Sequence, residues 1–117
     1  MAMPTPNEIT ELQKAFYALY NSLNDAYWAA STVEAKDQIH GAKDLVESVL
    51  DIIDRADLEA DNAAMANLRE SLKSSMKDLG DLQKQLDAIV HNVAVATTAL
   101  QAIDKALTIA GKVAAAV

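Results

Sequence analysis

The residues best suited to chemistry are two carboxylate–imidazole pairs, Asp37 with His40, three apart, and Asp87 with His91, four apart. Either spacing sets the acid and the ring on one face of a helix. Bundles that hold two metal ions use Glu-x-x-His pairs of this kind, completed by further Glu from facing helices. Here the acids are Asp, the two spacings differ, and the segment before residue 31 offers only Glu8, Glu11 and Asp25 as additional ligands. A surface His beside an acid is therefore the expectation, with no metal and no cofactor. Nucleophilic catalysis lacks its parts as well: neither His has a Ser in a strand-to-helix turn near it, Cys is absent, and no Gly-rich loop could cradle a phosphate. No residue is assigned a catalytic role, and the chain reads as a non-enzyme. The remaining cluster, Tyr17, Tyr20, Tyr27 and Trp28, could line a ligand pocket. Aromatic side chains at helical spacing more commonly fill a core or an interface.

The elements that position these residues read as helices. Of 117 residues, 51 % are apolar but only five are aromatic, and Ala dominates the apolar set. That composition favours closely spaced helices over a sheet. Three Gly leave few places for turns, and both Pro, Pro4 and Pro6, precede the first periodic segment. The expected fold is all-α: an antiparallel helical bundle of three or four long helices with coiled-coil-like heptad packing, in a single domain over 7–117 after a disordered tail over 1–6.

Heptad spacing draws the helices. Ile9, Leu12, Phe16, Leu19, Leu23, Ala26 and Ala30 form the seam of a first helix starting near residue 7, capped by Thr5 or Asn7. Ser31-Thr32-Val33-Glu34 has the spacing of a capping box with Ser31 as the cap, so a tight turn is expected there. A second helix over 32–57 carries Ala35, Ile39, Ala42, Val46, Val49, Ile53 and Ala56. Gly41 interrupts it, which suggests close approach of a neighbouring helix or a bend. A connection over 57–62, with Asp57 or Asp61 as cap, precedes a seam that resumes at Met65 and keeps one register through Leu68, Leu72, Ser75, Leu79, Leu82, Leu86, Ile89, Val93, Ala96, Leu100, Ile103, Leu107, Ala110 and Ala114. Two readings compete: a break at Gly80, or one helix of about 55 residues spanning roughly 80 Å. A chain that folds back at or beyond residue 80 makes an antiparallel four-helix bundle. A chain that does not exposes half of the long helix.

Charge is uneven. The net charge is −7, and residues 34–61 hold nine acidic and three basic side chains. A nucleic-acid partner is excluded by that field, and a membrane is not the expected partner. The most apolar stretch, Ala88 to Ile103, lacks formal charge over 16 residues. It still contains polar residues and falls short of the roughly 20 apolar residues that a span requires. The N-terminus has neither the basic region nor the apolar run of a secretory leader, so a cytoplasmic protein, or one exported without a cleaved signal, is expected.

These features favour a protein-interaction or assembly module, an adaptor, chaperone or structural subunit, working through coiled-coil faces and forming a homodimer if the long seam stays open. Its carriers would be Leu86, Ile89, Val93, Leu100, Ile103 and Leu107. The alternative is an acidic inhibitor or immunity protein that meets a basic partner through Asp44, Glu47, Asp51 and Asp54. A third reading is a lipid-surface or pore-related protein that exposes the Ala-rich C-terminal helix.

Overall fold

A computed structural model describes residues 6–55 and 62–116 as four helices: α1 (Pro6–Ala29), α2 (Val33–Arg55), α3 (Asn62–Ile89) and α4 (Val93–Ala116). The expected N-terminal tail through residue 5, the Thr5 cap and the connection with its Asp57 or Asp61 cap lie outside the described residues. Each helix packs against its two sequence neighbours around a closed ring, α1 with α2, α2 with α3, α3 with α4 and α4 with α1, so the bundle is up-down-up-down. Its long axis is 44 Å, about the 42 Å that the 28 residues of α3 span at the helical rise.

The central parts of the first three seams are buried where their spacing puts them, with Ile9, Ala30, Ile53 and Ile89 half-buried toward the helix ends and Ala56 outside the described residues. Leu12, Phe16, Leu19, Leu23 and Ala26 of α1 face inward, as do Ala35, Ile39, Ala42, Val46 and Val49 of α2. In α3, Met65, Leu68, Leu72, Ser75, Leu79, Leu82 and Leu86 are all buried. Ser75 is the only polar residue in the core among the described residues, and its hydroxyl donates to the Leu45 carbonyl at 3.4 Å.

In α4 the expected register is half right. The buried line is Ala96, Ala99, Ile103, Ala106, Ala110 and Val113, whereas Leu100, Leu107 and Ala114 are half-buried beside it and Val93 is exposed. The cause is the wide apolar arc of this helix. Where 16 of 24 positions are Ala, Val, Ile or Leu, heptad spacing alone does not select the inward line. Ala99 and Ala106 turn inward, and the larger leucines take the flank, where there is more room.

The Gly80 question resolves against both readings. α3 runs through Gly80 to Ile89, so neither a break at that glycine nor a single helix of 55 residues exists. The fold-back comes at 90–92, where Asn92 caps α4 by accepting the Val95 amide at 3.2 Å. Gly41 is not a close-approach site: a Cβ built there meets nothing within 4 Å.

The α1–α2 turn lies where the capping-box spacing puts it, but with a different cap. The Thr32 hydroxyl, not that of Ser31, accepts the Ala35 amide, at 3.0 Å. Ser31 is engaged elsewhere. Its amide and its hydroxyl both donate to the Ile89 carbonyl, at 3.0 and 3.1 Å, and Ala30 forms an antiparallel bridge with Val90. The α1–α2 and α3–α4 turns are thus fastened together at one end of the bundle.

Candidate functional site

Helical spacing places two rows of polar and aromatic side chains along the outer edge where α1 meets α2. From α1 come Gln13, Tyr17, Tyr20, Asn24, Tyr27 and Trp28; from α2 come Lys36, His40, Lys43 and Asp54. The antiparallel pairing fixes their order. In the N-terminal half of α1, the Tyr17 hydroxyl and the Gln13 amide each donate to one oxygen of Asp54, both at 2.5 Å. Donating to a carboxylate raises the Tyr17 pKa above its ordinary value, and lost hydration with the negative charges of Asp54 and Asp51 pushes the same way.

Toward the turn, cations alternate with rings. Lys43 Nζ lies 5.1 Å from the centre of the Tyr20 ring and 5.6 Å from that of Tyr27, and donates to Asn24 Oδ1 at 3.0 Å. Lys36 Nζ stands 5.1 Å from the Tyr27 ring centre and 5.2 Å from that of Trp28, while the two rings meet edge to face at 5.2 Å. Such contacts favour a desolvated cation and hold long side chains in place. The four aromatics are split: Tyr20 and Tyr27 are half-buried and pack against the core, whereas Tyr17 and Trp28 are 45 % and 71 % exposed.

The acidic residues Asp44, Glu47, Asp51 and Asp54 are all exposed. His40 pairs with Asp44 at 3.3 Å, not with Asp37. The basic residues of α3 do not neutralise the acids of α2. Among the described residues the ion pairs are His40–Asp44 and a loose Arg69–Glu70 contact at 3.9 Å, so no salt bridge crosses between helices. Glu47 makes no side-chain hydrogen bond or ion pair among the described residues, and Asp51 acts only through its field at Tyr17.

The C-terminal seam residues are placed differently. Leu86 and Ile103 are buried in the core, Ile89, Leu100 and Leu107 are half-buried, and Val93 is 77 % exposed. Bundle closure brings them along the α3–α4 junction without gathering them into one open face. Among the described residues no group of three or more His, Asp or Glu side chains could hold a metal ion. A cavity of about 170 Å³ between α1 and α4, lined by Ser22, Asp25, Ala94, Val95 and Thr98, is smaller than the roughly 300–1,000 Å³ of typical ligand pockets. Its Thr98 hydroxyl is already donated to the Ala94 carbonyl.

Lys36, Lys43, Gln13 and Asn24 escape a reading of sequence because their roles depend on which residues of α1 face which of α2. The available signal was the three-and-four spacing of Lys36, His40, Lys43 and Glu47 on the flank of the α2 seam. No protein-family model, curated protein or solved structure matches the chain.

Proposed function

We propose that the chain is a non-enzymatic protein-interaction module whose working surface is the acidic, aromatic α1–α2 edge and whose partner is basic, in the manner of an inhibitor or immunity protein. The observation that carries this reading is the exposed row Asp44, Glu47, Asp51 and Asp54 next to Tyr17, in which Asp44 meets His40 and, among the described residues, no Lys or Arg pairs with any of the four. An excess of one charge on one face steers a partner of the opposite sign. Tyr17, bonded to Asp54, supplies rigid apolar area of the kind that anchors interfaces.

The test compares two variants with equal charge change. One carries Asp44→Asn, Glu47→Gln, Asp51→Asn and Asp54→Asn; the other neutralises Glu70, Asp78, Asp81 and Asp87 on α3 in the same way. Stopped-flow association with an amphipathic helical peptide bearing Lys along its polar face should slow about tenfold or more at low salt for the α2 variant, with a flatter salt dependence. The α3 variant should slow far less. Equal slowing in both would reduce the effect to net charge and sink the reading.

A second reading, oligomer formation through a coiled-coil seam, is favoured by Val93, Leu100 and Leu107, which keep heptad spacing and partial exposure on one flank of α4. Light scattering on a sizing column separates the two. A monomer mass over a tenfold concentration range supports the acidic-edge module. A dimer that Leu100→Asp dissociates supports the seam.

A further inference from the structure

Among the described residues, four large apolar or aromatic side chains are exposed, and three of them sit at one end of the bundle: Trp28 at 71 %, Val33 at 70 % and Val93 at 77 %. Trp28 lies in the last turn of α1, and Val33 and Val93 open α2 and α4. The Ser31–Ile89 and Ala30–Val90 contacts bring the two turns that carry them together. We propose that this end of the bundle docks on a lipid bilayer, with Trp28, Val33 and Val93 entering the layer between headgroups and acyl chains.

An apolar protein surface suits lipid only if its backbone polar groups need no water. At this end several are supplied from within. Thr32 takes the Ala35 amide, Asn92 takes the Val95 amide, and Ser31 gives two donors to the Ile89 carbonyl. The Thr98 hydroxyl turns back onto the Ala94 carbonyl, the bond by which Thr is accommodated in apolar helices.

The segment leaving this end is also apolar. Residues 88–103 carry no formal charge with His91 neutral. Val93–Ala115 is long and apolar enough by composition to cross a membrane, with a mean hydropathy of 1.3 in its best window. Asp104 and Lys105 at the middle of α4 oppose a full crossing, so the mode is shallow docking. Trp is favoured at the membrane–water interface. Lys36, stacked on Trp28, has the long stem that lets an ammonium reach a lipid phosphate. Glu34, Asp37 and Asp87 border the end. Together with the net charge of −7, they direct the docking to zwitterionic lipid.

Trp28 is the only Trp in the chain and reports directly. With phosphatidylcholine vesicles its emission should shift to the blue, brominated acyl chains should quench it, and the protein should float with the vesicles. Val33→Asp with Val93→Asp should lower the partition coefficient about tenfold or more, as expected for two apolar side chains lost from the contact. Asp is tolerated in the first turn of a helix, and unchanged circular dichroism of the double variant confirms the fold. Val33→Ser with Val93→Ser replaces it if it unfolds. The variant neutralised at Asp44, Glu47, Asp51 and Asp54 should bind vesicles as the parent does, which separates this proposal from the acidic-edge reading. Absence of flotation with unchanged emission overturns the proposal. So does flotation with unquenched Trp28 that the double variant leaves intact, because another face then binds. A parent dimer that the double variant dissociates would make this end a contact between copies and overturn it as well.

Discussion

Replacing Phe16 with Ala should cost about 3–5 kcal/mol, the largest loss expected from any single truncation in this core. Phe16 is the largest fully buried side chain, with no exposed surface, and it lies where α1 meets its neighbours. A domain of this size is stable by only about 5–15 kcal/mol, so the variant should approach the edge of folding. With a urea slope of about 2 kcal/mol per molar, the midpoint followed by helical circular dichroism should fall by about 2 M. The adjacent Tyr17→Ala provides the contrast. Tyr17 is 45 % exposed and gives up only its bond to Asp54, which corresponds to about 1 kcal/mol. Equal shifts at the two positions would mean that α1 turns a different face to the core.

The second large effect has the opposite sign. Gly41, Gly80 and Gly111 lie inside α2, α3 and α4, none has a positive φ, and a Cβ added at any of them meets nothing within 4 Å. Each Gly→Ala change should therefore gain the full difference in helix propensity, about 0.8–1 kcal/mol, with no steric penalty against it. The sites are on separate helices and share no partner, so the gains should add. The triple variant should be about 2–3 kcal/mol more stable, a rise in Tm of about 10 °C. Calorimetry showing a lower Tm would mean that a neighbour approaches one of these glycines more closely than the structure shows. Nothing in the packing explains why three helix interiors carry Gly.

Much of the fold was legible because three of the seams leave no choice of face. In α3, Met65, Leu68, Leu72 and Leu79 stand among Arg, Lys, Asp, Asn and Ser, and only one line can turn inward; α1 and α2 behave the same way. In α4, Ala99 and Leu100 are adjacent apolar residues of which Ala99 joins the buried line and Leu100 stays half-buried beside it, and what decides between them is the space left by α1 and α3, which a pattern within one helix does not contain. The turn at 90–92 was hidden for a related reason. The apolar residues on both sides of it, Leu86, Ile89, Val93 and Ala96, keep three-and-four spacing across a non-helical cap, so the pattern reports no interruption. Ser31 and Thr32 show the same limit at the scale of one side chain. Either could cap α2, and the choice falls to Thr32 because the Ile89 carbonyl, 58 residues on in the sequence, takes both donors of Ser31. The candidate surface was readable as composition, acidic on α2 and aromatic on α1, but not as geometry. Tyr17 with Asp54 and Lys36 with Trp28 are partners across two helices.

The ring of helix contacts has a consequence in time. α1 packs against α2 and against α4, and α4 is the last helix in the described chain. During synthesis from the N-terminus, the side of α1 that α4 will cover therefore stays without its partner while everything up to residue 92 emerges. A helix pair of α1 and α2 can form early, since its turn is short, but the ring closes only when the Ala-rich segment arrives. Completion of this core consequently waits for the last helix, because the α1–α4 contacts join segments far apart along the chain.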